Sequence, residues 1–135
     1  MKKIMLLAAI FTLVFTSCSS DEDSGSGQDQ FAGNWKLFGS FEDGEEIVLE
    51  DCEYETTLDI SNNGTFTTFI YESNLDGNCE LEYSVSGTWE NLGGGLYSTT
   101  SEGDTYVQEV GFEGDTMFFD DVEDGIVYRD VFIRD

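Results

Sequence analysis

The feature that most constrains the fold is an unbroken alternation of residue types over residues 79–90, CELEYSVSGTWE. The polar positions of this stretch hold Glu, Ser and Thr, and the alternate positions hold Leu81, Tyr83, Val85, Gly87 and Trp89. A period of two over this length predicts a β-strand with one buried face and one solvent-facing face. Such a strand needs further strands to pair with it and to cover its apolar face.

Seven more strands are predicted in the rest of the chain after residue 30. They cover residues 31–41, 52–60, 65–72, 96–100, 105–112, 117–122 and 126–134. Turn sequences such as Asn62-Asn63-Gly64 and Glu123-Asp124-Gly125 separate them, and no segment has the 3.6-residue period of a long helix. The chain is therefore predicted to be all-β.

Eight consecutive antiparallel strands leave two exposed sheet edges unless the first strand pairs with the last. Closure into an eight-stranded antiparallel up-and-down β-barrel removes both edges. The short turns favour this barrel, because a Greek key needs a long crossing connection. A two-sheet β-sandwich is the alternative. An eight-stranded barrel is either filled by its own side chains or large enough inside for one small ligand.

The first 30 residues differ from the rest of the chain. Lys2, Lys3 and the apolar run of residues 4–15 have the pattern of a secretory signal peptide over residues 1–17, which is too short to span a membrane. Residues 19–30, SSDEDSGSGQDQ, contain no apolar side chain and are expected to form an acidic flexible tether within the segment 18–30. The folded domain is then residues 31–135.

Residues 14–18, VFTSC, resemble the lipobox of bacterial lipoproteins, in which the cysteine carries the lipid. This resemblance implies that Cys18 is lipidated and becomes the N-terminus of the mature protein. Residues 20–23, SDED, are similar to the acidic export signal of surface-exposed lipoproteins of the Bacteroidetes type. Together the two resemblances imply an outer-membrane protein that is surface-exposed and contacts the membrane only through its lipid. An ordinary signal peptide followed by a plain linker is the alternative.

The three cysteines are an odd number for an exported chain. If Cys18 carries lipid, Cys52 and Cys79 remain as one pair, and export makes a disulfide between them chemically possible. That disulfide would close a loop of about 28 residues and stabilise the fold by roughly 3–4 kcal/mol through loss of chain entropy in the unfolded state.

Charge limits the partners and the chemistry. The net charge is −24 at neutral pH, and the chain has no histidine. Nucleic acid and bare anionic lipid are therefore not expected as partners, and a soluble monomer is favoured. Without histidine the usual general base is absent, so we expect neither an enzyme nor a cofactor. The acidic residues of the turn at 120–124 are interpreted as solvated, and no metal site is predicted; the alternative is that their oxygens hold a cation such as calcium.

The tripeptide Gly33-Asn34-Trp35 at the head of the first predicted strand resembles the G-x-W motif of lipocalins, and Gly87-Thr88-Trp89 repeats it. The order of Cys52, Asn63-Gly64-Thr65-Phe66, Cys79 and the second G-x-W is similar to the small lipocalin-like domains of Bacteroidetes lipoproteins. This resemblance spans nearly all of residues 31–135 and implies a lipocalin-like barrel.

The lipocalin resemblance also implies how one end of the barrel is closed. Trp35 would close the barrel bottom with Gly33 beside it, and a basic residue near the last strand would pack over the Trp35 ring. Arg129 and Arg134 are the two candidates, and alternation does not choose between them.

The function implied by the resemblance is binding of a small hydrophobic ligand or lipid. Inward-facing aromatic residues are the expected lining of a pocket. The candidates are Trp35, Tyr54, Phe66, Tyr83, Trp89, Tyr106 and Phe112. The alternative is a cell-surface interaction or structural module whose barrel core is solid and which takes no small-molecule ligand.

Overall fold

The computed structural model describes residues 28–135, so the predicted signal peptide, Cys18 and most of the predicted tether lie outside the described residues. No helix in this part of the chain is long and apolar enough to cross a membrane. Residues 28–135 form nine β-strands and one turn of 3-10 helix, Glu53–Glu55. The strands are β1 (Gly33–Glu42), β2 (Glu45–Ile47), β3 (Thr57–Ile60), β4 (Thr65–Ser73), β5 (Cys79–Gly93), β6 (Leu96–Ser101), β7 (Asp104–Glu113), β8 (Thr116–Glu123) and β9 (Ile126–Arg134).

The strands pair antiparallel in the order β2-β1-β3-β4-β5-β6-β7-β8-β9, and β1 also pairs with β9, which closes the sheet into a barrel. The barrel has eight strand positions because β2 and β3 share one edge of β1. Trp35 of β1 pairs with Leu58 of β3, whereas Phe41 of β1 pairs with Glu46 of β2. The predicted eight-stranded antiparallel barrel is confirmed, and the two-sheet sandwich is wrong.

The segment before β3 differs from the prediction. Alternation predicted one strand over residues 52–60, but only Thr57–Ile60 forms a strand, and residues 53–55 form the 3-10 helix. The physical reason is that β2 already occupies the edge of β1 that a longer β3 would need. Tyr54 therefore lies on the 3-10 helix and not on a barrel strand.

The predicted disulfide is confirmed. Cys52 lies immediately before the 3-10 helix, Cys79 is the first residue of β5, and a disulfide joins them. The Ser73 hydroxyl at the end of β4 donates a hydrogen bond of 3.1 Å to the Cys52 sulfur. The segment that lacks a strand of its own is thus attached covalently to the long β5.

Most of the buried core lies toward one end of the barrel, which we call the closed end. Trp35 and Met117 are wholly buried there, and Phe31 packs over Trp89 and Tyr97 with ring centroids 5.2 and 4.4 Å apart. The opposite end, which we call the open end, receives the turns at residues 43–44, 74–78, 102–103 and 124–125.

The apolar face of the alternating stretch in residues 79–90 is buried along only half of its length. Val85, Gly87 and Trp89 lie toward the closed end, where Trp89 is buried and Val85 packs against the core. Tyr83 pairs with Ile70 and keeps the inward orientation, but it lies at the open end and is 48% exposed. The register shifts just before it, so Leu81 pairs with Tyr71 out of phase with Tyr83 and is 49% exposed. An alternating pattern reports which face of a strand a residue occupies only where the pairing is regular, and it does not report how far the core extends along that face.

Candidate functional site

A cavity of about 150 Å³ lies inside the barrel, next to the closed-end core. Most of its lining is apolar or aromatic and includes Leu58, Phe66, Val110 and Phe119. Three polar residues complete the lining, namely Thr68, Thr99 and Gln108. A concave apolar space with a few polar groups that can orient a ligand is the usual composition of a small-molecule site.

The strand register explains why these side chains meet. Leu58 pairs with Thr68 across β3 and β4, and Val110 pairs with Phe119 across β7 and β8. Partners that are directly opposite each other on antiparallel strands project from the same face of the sheet. Alternate residues of five different strands therefore converge on the barrel interior.

The volume of the cavity limits what can occupy it. Typical drug-sized pockets have about 300–1,000 Å³, whereas an apolar cavity of about 150 Å³ in another protein holds a benzene molecule. The interior of this barrel therefore suits a single ring or a short branched apolar group. A long acyl chain would not fit without displacing core side chains.

The closed end is sealed by the residues just before β1. The Trp35 indole nitrogen donates a hydrogen bond of 2.9 Å to the Phe31 carbonyl. The Arg134 guanidinium lies 4.2 Å from the Trp35 ring and donates to the carbonyls of Ala32 and Gln30 at 3.1 and 3.2 Å. Arg134 thus covers Trp35 and holds the preceding segment across the barrel end.

Gly33 allows this close approach. Its φ is +149°, a conformation that L side chains rarely adopt, and a Cβ atom there would collide with the Arg134 guanidinium. The backbone conformation therefore favours glycine at this position, and the missing Cβ leaves room for the Arg134 guanidinium.

Arg129, the other candidate for covering Trp35, lies on the outside of the barrel. It makes a two-bonded ion pair with Asp120, at 2.6 and 2.8 Å, and its guanidinium lies 4.3 Å from the Phe118 ring. The hydrogen bonds from Arg129 hold the pKa of the Asp120 carboxyl below its ordinary value. Arg129 directly precedes the inward-facing Asp130 on β9, so its side chain projects from the outer face of the barrel. Its strand partners Asp120 and Phe41 lie on the same outer face.

A polar network beneath Phe31 contains Asp29, which sequence analysis assigned to the tether. One carboxylate oxygen of Asp29 accepts hydrogen bonds from the Tyr97 hydroxyl at 2.8 Å and from the Phe31 amide at 2.9 Å. The other oxygen accepts one from the Asn91 side chain at 2.7 Å. Burial of Tyr97, together with its bond to Asp29, raises the pKa of Tyr97 far above its ordinary value. No signal in the polar run of residues 19–30 could have indicated this role.

This architecture, with G-x-W at the head of β1 and an arginine of the last strand over the tryptophan, agrees with a family comparison. Residues 31–124 match the family described as a lipocalin-like domain. The chain belongs to the lipocalin-like domain family. No curated protein is similar enough to the chain to be matched with it.

In this lipocalin-like domain, the predicted pocket residues occupy three kinds of position. Phe66 lines the cavity, and Trp35, Trp89 and Phe112 belong to the closed-end core or pack against it. Tyr83 and Tyr106 face inward at the open end, and Tyr54 lies on the 3-10 helix. Whether any of them contacts a ligand stays a prediction.

The polar cavity residues were not predicted, because aromatic side chains are the expected lining of an apolar pocket. Thr68 is two positions after Phe66 on β4, and Gln108 is two positions before Val110 on β7, so each polar residue shares the inward face of its apolar neighbour. Their inward orientation could have been read from alternation alone. Their position beside a cavity could not, because it depends on how neighbouring side chains fill the barrel.

Acidic side chains are abundant in the barrel, but their arrangement does not suit a metal ion. Among residues 28–135 no three Asp, Glu or Cys side chains come together as a set of metal ligands. In the acidic turn, Asp120 is paired with Arg129, and Asp121 accepts a hydrogen bond of 3.0 Å from the Val122 amide.

Proposed function

We propose that this protein binds one small hydrophobic molecule in the cavity of its barrel. The observation that carries this proposal is the cavity of about 150 Å³. Its lining is mostly apolar, and Thr68, Thr99 and Gln108 add a few polar groups to it. Lipocalin-like barrels in general are binding proteins and not enzymes. We accordingly propose a binding role for a monomer, without a reaction and without a cofactor.

The proposal also concerns the location of the protein in the cell. We propose that Cys18 carries a lipid in the outer membrane and that the acidic residues after it direct the protein to the cell surface. This part is supported by the lipobox-like VFTSC and by the acidic segment SDED at residues 20–23. The chain enters the barrel at its closed end, through Asp29 and Phe31. A tether from Cys18 would therefore hold the closed end nearer the membrane and direct the open end outward.

Ligand uptake tests the binding proposal. The exported Cys18→Ala protein, which would not be lipidated, is mixed with 2-phenylethanol, and the complex is measured by native mass spectrometry and by calorimetry. We expect a 1:1 complex that disappears on unfolding. A bare mass at every probe concentration would contradict the proposal and favour the interaction module with no small-molecule ligand.

A variant that fills the cavity tests whether the ligand binds there. Val110→Phe places a ring in the cavity and is expected to weaken 2-phenylethanol binding by at least about tenfold, which corresponds to about 1.4 kcal/mol. Val122→Phe is the control, because Val122 is 64% exposed and belongs to the outward set of β8. Thr68→Leu is a second cavity variant in case Val110→Phe fails to fold. Equal affinity in the folded cavity variants and the control would place the ligand elsewhere.

Membrane fractionation tests the anchor separately. The Cys18→Ala protein is expected to leave the membrane fraction, whereas the unaltered protein stays in it. Release would support the lipid anchor, and an unchanged distribution between the fractions would contradict it. The result does not depend on whether the cavity binds a ligand.

One observation favours a second role, the interaction module. A groove of about 560 Å³ lies on the outer face of the barrel and is lined in part by Phe41, Val127, Arg129 and Val131. These residues are outward-facing because each lies in phase with the Arg129–Asp120 pair. The uptake experiment separates the two roles, since an outer groove does not respond to Val110→Phe.

A further inference from the structure

The barrel wall is interrupted toward the open end between β7 and β8. The two strands pair at only four positions, from Glu113 with Thr116 to Val110 with Phe119. Beyond that point β7 continues to Asp104 along β6, and β8 continues to Glu123 along β9. The backbones of residues 104–109 and 120–123 therefore border a gap in the wall.

A cleft of about 400 Å³ lies at this gap. Thr99 and Gln108 line the cleft and also line the interior cavity. The two spaces thus meet at the same two side chains. Thr99 and Gln108 therefore lie between the apolar cavity and the solvent-facing cleft, and a molecule longer than the cavity would extend past these two side chains into the cleft.

The cleft has a different chemistry from the cavity. Besides Thr99 and Gln108, its lining includes the acidic residues Glu109, Asp120 and Asp121. Asp120 is neutralised by Arg129, but neither Glu109 nor Asp121 forms a salt bridge with another of the described residues. The cleft therefore keeps two uncompensated negative charges.

An aromatic ring lines the same cleft, and further acids lie around Tyr128 on the neighbouring β9. Tyr106 lines the cleft, is 66% exposed, and projects from the same face as Thr99, with which it pairs. Tyr128 pairs with both Glu42 and Asp121, and partial desolvation together with the carboxylates of Glu42, Glu123 and Asp43 raises its pKa. Carboxylates beside an exposed aromatic face favour an ammonium group and disfavour a carboxylate.

We propose that the ligand is a hydrophobic cation whose apolar end occupies the cavity and whose charged end lies in the cleft between β7 and β8. This inference rests on the proposed function, because it assigns a charge to the ligand of the same cavity. It assigns ligand binding to Tyr106, Glu109 and Asp121 and excludes free fatty acids as the preferred ligands.

Three probes with the same phenyl group and different charges test the inference. They are 2-phenylethylamine, which is cationic at neutral pH, neutral 2-phenylethanol and anionic 3-phenylpropionate, each titrated into the exported Cys18→Ala protein. We expect the amine to bind at least about tenfold more tightly than the carboxylate, with the alcohol between them. The advantage of the amine should shrink as salt is added, because the cleft is open to solvent.

The variants locate the charged end. Glu109→Gln with Asp121→Asn is expected to lower the affinity for the amine about tenfold more than the affinity for the alcohol. Glu82→Gln with Glu90→Gln is the matched control, since it removes the same charge from two exposed positions of β5, a strand that does not line the cleft. An amine preference that survives in the cleft variant, or is lost equally in the control, would overturn the assignment to the cleft.

The outcomes separate this inference from the proposed function. If the alcohol binds and the amine has no advantage over the carboxylate, the charge inference is wrong and the cavity proposal stands. If none of the three probes binds, the cavity proposal is wrong and the inference fails with it.

Discussion

The two ends of the barrel are made from the same strands but are held together in different ways. At the closed end, Phe31, Trp35 and Arg134 pack and hydrogen-bond across the barrel. At the open end, β7 and β8 separate, and the Cys52–Cys79 disulfide fastens the segment before β3. The comparison suggests that packing supplies the stability at one end, so that the other end can remain accessible to a ligand.

The largest expected effect comes from removing the centre of the closed end. Trp35→Ala is expected to lower the free energy of unfolding by about 3–5 kcal/mol, because Trp35 is wholly buried and its loss leaves a cavity. Tyr106→Ala at the open end is expected to change it by less than about 0.5 kcal/mol, because Tyr106 is mostly exposed. Urea unfolding followed by circular dichroism measures both. Similar losses in the two variants would break the comparison between the ends.

The next effect concerns the covalent link. Cys52→Ala with Cys79→Ala is expected to lower the free energy of unfolding by about 2–4 kcal/mol, because the disulfide closes a long loop in the unfolded chain. Hydrogen exchange should show lost protection first in residues 48–56 and at the start of β5. Reduction of the unaltered protein serves as the control and should reproduce the change. Equal loss of protection around Trp35 would show that the two ends are not independent.

A smaller effect is expected from the polar network under Phe31. Tyr97→Phe removes one hydrogen bond to the Asp29 carboxylate and is expected to cost about 1.5–3 kcal/mol. Asp29 keeps its bonds to Asn91 and to the Phe31 amide, so the variant should still fold. Urea unfolding measures the loss, and an unchanged free energy would contradict a structural role for Asp29.

The same network predicts a pH dependence. The pKa of Tyr97 is raised in the folded protein, so its contribution to stability is complete below the ordinary tyrosine pKa of about 10. Above pH 10 the unfolded chain releases this proton and the folded chain retains it, and stability therefore falls as pH rises. Alkaline unfolding of the unaltered protein and of Tyr97→Phe should show a weaker pH dependence in the variant. Identical slopes would contradict a raised pKa at Tyr97.

The smallest effect separates the two arginines. Arg134→Ala is expected to cost about 1–2 kcal/mol, because it removes a cation–π contact and two hydrogen bonds at the closed end. Arg129→Ala is expected to cost less than about 1 kcal/mol, because the Arg129–Asp120 pair is exposed. Thermal unfolding compares the two variants, and a larger loss from Arg129→Ala would reverse the assignment.

Much of the fold could be predicted from local patterns. The last strand, Ile126–Arg134, has the predicted bounds, and the turns at Asn62-Asn63-Gly64 and Asp124-Gly125 are where the sequence places them. Alternation and turn preferences depend on residues that are adjacent in the chain, so they can be recognised from one sequence. The 3-10 helix at residues 53–55 was missed because competition between β2 and β3 for one edge of β1 is a long-range effect.

The candidate site could be predicted only in part. The sequence indicated an inward face with Phe66 and Tyr106, but it could not show that Phe66 lines a cavity while Trp89 packs in the core. The gap between β7 and β8 has no counterpart in the pattern, because both strands continue to alternate beside it. Side-chain volumes and strand separation decide these points, and neither is a property of one segment.

By itself the sequence determined that residues 31–135 are all-β with a tryptophan near the head of the first strand, and it favoured a barrel and a Cys52–Cys79 pair. The tertiary structure alone decided that Arg134 covers Trp35, that Asp29 joins the closed end, and that a cavity meets a cleft at Thr99 and Gln108. The physical reason is the separation along the chain over which each effect acts. Periodicity and turn preferences depend on adjacent residues, whereas these contacts join positions that become neighbours only when the sheet closes.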